Sequence, residues 1–273
     1  MPTGSRTCCG RPAAIPRRPG TPSEPARRSP RGHHAFSPGG ARLMFLPIFD
    51  ENPKRHIKYA VVTYTLIAIN VLVFLITVAL PRDAFETATI EFGMIPIVVR
   101  GLVAPPLAWL PAWANLETYA FLHIDWLHLL SNMLFLWIFG DNIEDAMGHV
   151  RYIFFYLACA ALAALIYLAF NPMGNGPLIG ASGAVAGVMG AYIVLFPHAR
   201  VIVIARIWIP VPLPLPAFWM LGVWVLMQIF YLLIGSTEPV AWWAHLGGVV
   251  AGALLATILK RRDVPLWGGS LPR

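Results

Sequence analysis

Gly180-Ala181-Ser182-Gly183-Ala184-Val185-Ala186-Gly187 opens an apolar run that continues to residue 197. A serine near its head is followed by glycines at 183, 187 and 190. Gly183 and Gly187 form a small-xxx-small pair, which lets a second helix approach closely. Well downstream, Ala244-His245-Leu246-Gly247-Gly248 lies inside another apolar run. At helical spacing His245 shares a face with Ala241, Gly248 and Gly252, a second small face. Polar groups in membrane-length segments are costly, so Ser182 and His245 are each candidates for function. Taken singly, a serine caps a helix and a histidine is a satisfied polar residue in a bundle. Taken together, the two small faces predict direct packing of the runs, with the imidazole within reach of the hydroxyl. That is the activation a weak hydroxyl nucleophile needs.

Composition sets the class. The 273 residues are 58% hydrophobic and 12% charged, with mean hydropathy +0.65. A soluble domain carries roughly 25% charged residues, so this chain is a polytopic membrane protein. The net charge of +7 is misleading. Residues 1–43 hold eight Arg and one acid, Glu24, and the remaining twelve Lys/Arg and twelve Asp/Glu cancel. The basic character belongs to the tail, and nothing in the folded part points to nucleic acid. Cys8 and Cys9 are adjacent in the tail and Cys159 is in an apolar run, so there is no disulfide framework.

The tail, with eight prolines in residues 1–43, builds no core. It reads as a disordered basic tail, as an organellar transit peptide, or as untranslated sequence upstream of a start at Met44. A cytosolic lead-in, 44–58, follows. Runs of about 20 apolar residues then predict spans at 59–80, 121–140, 150–170, 181–197, 215–234 and 240–259. The connection 81–119 is too polar and proline-broken to span; its Trp109 and Trp113 suit the membrane interface. Lys54, Arg55 and Lys58 precede the first span and Lys260, Arg261 and Arg262 follow the last. Both termini are therefore cytoplasmic, which requires an even number of spans. The expected architecture is an all-α, six-helix membrane domain over 59–260, with a cytosolic tail at 261–273.

A second polar cluster opens the second span, at His123-Ile124-Asp125-Trp126-Leu127-His128-Leu129-Leu130-Ser131-Asn132. His128 and Asn132 share a helical face, at the depth expected for Ser182 and His245. Amide hydrolysis creates an oxyanion that needs preorganised donors. His128, Asn132 and the Ser182 backbone N–H are candidates; for Asn132 alone, interhelical packing is the plainer reading. Zinc is disfavoured: His123 and His128 are badly spaced for one helix and there is no His-Glu-x-x-His. The soluble-hydrolase serine elbow is excluded, because Gly180-Ala181-Ser182-Gly183-Ala184 lacks its second glycine. Gly140-Asp141-Asn142-Ile143-Glu144-Asp145-Ala146-Met147-Gly148 reads as a loop between spans two and three, tied down by Glu144 in a structural role.

These motifs resemble the rhomboid intramembrane serine proteases, and look most like the bacterial six-span members. The match rests on His123-x4-His128-x3-Asn132, Gly140-x3-Glu144-x3-Gly148, Gly180-x-Ser182-Gly183 and Ala244-His245-x-Gly247-Gly248, in family order over roughly 59–260. The resemblance implies a Ser182/His245 dyad without a carboxylate, and no cofactor. It implies an oxyanion hole of His128, Asn132 and the Ser182 backbone. His123, Gly180, Gly183 and Gly248 would support the pocket. The substrates would be transmembrane helices admitted past span five, with Phe218, Trp219 and Trp224, and the location a bacterial cytoplasmic (inner) membrane. One departure stands out: some members place a tyrosine four residues after the nucleophile, against the histidine, where this chain has Ala186. Trp242 or Trp243 is the expected substitute. A non-catalytic binder of client helices is the rival reading; a transporter would need polar residues along the whole depth of the bilayer. If Met44 is the start, mass spectrometry of the native protein will recover no peptide upstream of it; one such peptide excludes that reading.

Overall fold

The computed structural model describes residues 45–206, 210–236 and 240–268. The tail 1–43 and the alternative start at Met44 lie outside the described residues. In chain order, strand β1 (Phe45–Asp50) precedes helix α1 (Val61–Val78). The connection that follows holds α2 (Arg82–Phe92) and the short α3 (Pro96–Val99) and α4 (Asn115–Thr118). Then come α5 (Trp126–Met147), α6 (His149–Phe170) and α7 (Ser182–Leu195). Strands β2 (Arg200–Arg206) and β3 (Pro210–Pro216) form a hairpin before α8 (Ala217–Leu233) and α9 (Trp242–Leu259). The chain is thus mostly helical. Three helices, α1, α6 and α9, are long and apolar enough to cross a membrane. The pair Ala112–Phe121 and Trp126–Met147, bent by 86°, makes a fourth candidate, and α7 and α8 are apolar but shorter.

Helix α7 is the centre of the bundle. Every residue from Gly183 to Tyr192 is buried. On one side it meets α6 through Cys159 and Ala163, where β-carbons on Gly187 and Gly183 would collide. On the other side it meets α9 backbone to backbone. A β-carbon on Gly248 would overlap the Gly183 carbonyl oxygen, one on Gly252 that of Gly187, and one on Gly190 that of Val249. Between apolar helices in lipid there is little hydrophobic drive, so such close backbone approach is what holds them.

The predicted spans are helices, but two boundaries and one class assignment change. The second span starts at Trp126, not 121. Asp125 is its N-cap, and its Oδ1 accepts the His128 N–H at 2.7 Å. The stretch Gly140–Met147 is helix, not loop, and only Gly148, at φ +83°, turns the chain into α6. Its polar residues read as loop because their partners are remote in sequence. Glu144 is fully buried and accepts the N–H groups of Val62 (2.9 Å) and Thr63 (2.8 Å), the Thr63 hydroxyl (2.7 Å) and a contact from His149 Nδ1. It therefore caps α1, which has no cap of its own. Asp145 accepts the N–H groups of Arg55, His56 and Ile57 in the lead-in. From the far end of the chain, the Arg261 N–H and Nε donate to the carbonyls of Ala146 and Asp145, orphans at the end of α5.

The third correction is to the all-α assignment. β1, β2 and β3 form an antiparallel sheet in that order. The sheet escaped the sequence reading because β3 is Pro-Val-Pro-Leu-Pro-Leu-Pro, a composition that argues against a strand interior. Pairing along one edge only makes it possible. N–H groups alternate sides along a strand, so prolines at every second position can all face the unpaired edge, where a donor would only invite another strand. Asp50, at the end of β1, receives hydrogen bonds from the Tyr192 hydroxyl and Asn142 Nδ2, and burial pushes its carboxyl up to about 7.

Removing Glu144 leaves the half-buried Val62 amide and the buried Thr63 amide at the start of α1 without their acceptor, a loss of about 1–3 kcal/mol for the buried group. Glu144→Ala should lower the unfolding midpoint in detergent markedly. The variant that remains folded should keep the wild-type reactivity of Ser182, measured with a serine-directed probe. A selective loss of reactivity at unchanged stability would show a direct role.

Candidate active site

The approach to Ser182 is pinned from three directions. Met94 and Leu178 exchange backbone hydrogen bonds at 3.0 and 2.8 Å, and the Gly180 N–H donates to the Tyr119 carbonyl at 2.9 Å. The Tyr119 hydroxyl in turn donates to the Ala160 carbonyl of α6 at 2.8 Å. Gly180 has φ +116°, a region that L side chains rarely adopt. The His128 ring lies directly against it, where a β-carbon would sit 2.5 Å from Nε2. Two residues further on, Ser182 begins α7. Its backbone N–H is among the helix-initiating amides without an intrahelical acceptor, at the positive end of the helix dipole.

Across the glycine seam, His245 Nε2 lies 2.9 Å from Ser182 Oγ. This is hydrogen-bond distance for a base to accept the hydroxyl proton. The other ring nitrogen, Nδ1, lies 2.8 Å from Oε1 of Gln228 on α8. The Trp224 ring, one turn before Gln228, is tilted over the imidazole at 5.7 Å between centroids, and Trp242 meets it edge-on at 6.3 Å. Trp243 stacks instead on Phe170 at 3.6 Å. Of the two tryptophans expected to stand in for the tyrosine missing at Ala186, Trp242 is beside His245 and Trp243 is not.

The second cluster is brought to the same end of the bundle. His123 is buried and meets the His128 ring edge-on at 5.1 Å. Asn132 is buried, and its Nδ2 donates to the His128 carbonyl at 3.1 Å, within its own helix. Among the described residues no cluster of His, Cys, Asp and Glu could hold a metal ion. The sequence reading missed two participants, Tyr119 and Gln228. Gln228 had a legible signal: it is a lone amide in the otherwise apolar Ala-Phe-Trp-Met-Leu-Gly-Val-Trp-Val-Leu-Met-Gln-Ile-Phe-Tyr-Leu-Leu of α8. Tyr119 had none, since its role lies in where its carbonyl points.

With this geometry in hand, comparison with known proteins gives the class. Residues 111–262 match the Rhomboid domain family model, more than half of the chain. The chain belongs to the rhomboid family, and it is an integral membrane protein. It is 31% identical over 151 residues to "Rhomboid protein 1, mitochondrial" of Saccharomyces cerevisiae, covering 52% of this chain and 40% of that one. It is 32% identical over 129 residues to "Rhomboid protease GluP" of Bacillus subtilis, covering 47% of this chain and 23% of that one. It is 28% identical over 214 residues to "Rhomboid protease AarA" of Providencia stuartii, covering 71% and 70%. The chain spans less than half the length of the first relatives it matches, 40% of the yeast protein and 47% of a mitochondrial relative from Arabidopsis thaliana.

Gly180→Ala would force a β-carbon into the His128 ring at a disfavoured φ, a strain of about 1–3 kcal/mol. It should slow labelling of Ser182 by a fluorophosphonate at least about tenfold, because small misplacements near reacting atoms are costly. Labelling at the wild-type rate would show that the His128–Gly180 contact does not position the serine.

Proposed function

We propose that this protein is an intramembrane serine endopeptidase that hydrolyses peptide bonds in or next to transmembrane helices. The observation that carries the reading is the 2.9 Å approach of Ser182 Oγ to His245 Nε2. It is supported by the family's named proteases among the relatives. The six apolar helices α1, α5, α6, α7, α8 and α9 are read as six spans. Both termini are then on the cytoplasmic side, and we place the protein in a bacterial cytoplasmic membrane. Named relatives also include mitochondrial and chloroplastic proteins.

In the proposed reaction Ser182 Oγ attacks the carbonyl carbon of the scissile amide while its proton passes to His245 Nε2. The negative charge that develops on the carbonyl oxygen is met by the Ser182 N–H and by His128, with Asn132 joining once its amide turns from the His128 carbonyl. Collapse breaks the C–N bond as His245 returns the proton to the leaving nitrogen. Water, deprotonated by His245, then attacks the acyl carbon and releases Ser182. A helix hides its amides in its own hydrogen bonds, so a substrate must unwind locally first. Substrates with helix-weakening residues, such as glycine, near the outer membrane surface are therefore preferred.

Purified protein in liposomes should cleave a single-span model substrate, and Ser182→Ala and His245→Ala should each lower the rate by at least about 10³-fold. A folded wild type that cuts no substrate in a panel and takes up no fluorophosphonate would overturn the protease reading in favour of a client-binding rhomboid.

A further inference from the structure

The structure assigns Gln228 as the positioning residue of His245, the part an aromatic at Ala186 would otherwise play. The inference rests on the protease reading for its catalytic consequence, and on geometry for the rest. His245 is held at both ring nitrogens, by Ser182 Oγ at 2.9 Å and Gln228 Oε1 at 2.8 Å. A carbonyl oxygen carries no proton, so Nδ1 must hold one and donate it. Nε2 is then left with the lone pair that the Ser182 hydroxyl needs. One hydrogen bond therefore selects both the tautomer and the orientation of the ring. The same role falls to an asparagine in cysteine–histidine proteases and to an aspartate in serine triads.

The surroundings support a dedicated role. Gln228 is 5% exposed on a helix that otherwise turns large apolar side chains outward, among them Leu226, Met227, Phe230 and Leu233. The other buried residues of α8 are Ala217, Met220 and Leu221, all in its first third. A polar side chain in a span is aimed inward only where it finds a partner, and here the partner is the base itself. An amide also suits the site better than a carboxylate. It directs the ring without burying an unpaired charge while His245 is neutral. When His245 takes the serine proton, Oε1 still accepts from Nδ1 and steadies the imidazolium. Because Gln228 and Trp224 both belong to α8, the base is oriented by one helix and carried by another.

The test compares full-length wild type with Gln228→Met, which keeps the length and loses the acceptor, and Gln228→Glu, which keeps the acceptor. All are assayed in liposomes on the single-span substrate, with Ser182→Ala as the reference. The expected result is a kcat about 10–100-fold lower in Gln228→Met, with KM within about twofold. Fluorophosphonate labelling should slow in parallel, and Gln228→Glu should recover at least about tenfold of the loss. Nitrogen-15 NMR of histidine-labelled wild type, assigned against His245→Ala, should show His245 protonated at Nδ1, and Gln228→Met should shift it toward a mixture of tautomers. Protonation at Nε2 in the wild type overturns the assignment, as does a Gln228→Met kcat within twofold of wild type. The NMR arm decides the point even if Gln228→Met folds poorly. It also decides it if the wild type proves inactive, in which case the protease reading fails and the positioning of His245 is judged separately.

Discussion

The backbones of α7 and α9 touch, and most of what distinguishes this bundle follows from that. Gly183 and Gly187 on one helix face Gly248 and Gly252 on the other so closely that carbonyl oxygens occupy the places where β-carbons would be. The same seam carries Ser182 at the head of one helix and His245 near the head of the other, and places Oγ 2.9 Å from Nε2. The glycines are thus part of the chemistry. A β-carbon at Gly248 or Gly252 would push apart the two helices that carry Ser182 and His245.

A site built on close packing must be held from outside, since lipid offers no hydrophobic pressure to restore a displaced helix. The end of α5 away from His128 supplies that restraint with polar groups. Glu144 and Asp145, one turn from the end of α5, gather the start of α1 and the lead-in before it, and Arg261 brings the end of α9 to the same place. The sheet adds a tie, joining β1 to the hairpin between α7 and α8. These anchors lie at the opposite end of α5 from His128, roughly 20 Å or more away by helix rise. The polar anchors and the Ser182–His245 pair thus lie at opposite ends of the bundle.

How far the sequence revealed this depended on whether the signal was local. Ser182, His245 and their glycines were legible because small residues at helical spacing state which faces meet. The helix through Glu144 was not, because an acidic run reads as a loop until its acceptors' partners, distant in sequence, are known. The sheet was hidden by the prolines of β3, whose acceptability depends on which edge is free. Gln228 was visible as a lone amide in an apolar segment, but the expectation that an aromatic would support the histidine drew attention to Trp242 and Trp243.

The structure also gives a physical reason for the change at position 186. Ala186 is buried with its β-carbon toward Gly248, on the face where α7 meets α9. With the two helices in backbone contact there, a ring at 186 would compete for the same space as the glycine seam. Support for the base comes instead from Trp242, edge-on from its own helix, and from α8, whose Trp224 covers the imidazole and whose Gln228 binds it. Tight α7–α9 packing and support from α8 are in this sense a single solution: the seam that brings serine to histidine leaves the orientation of the histidine to the neighbouring helix.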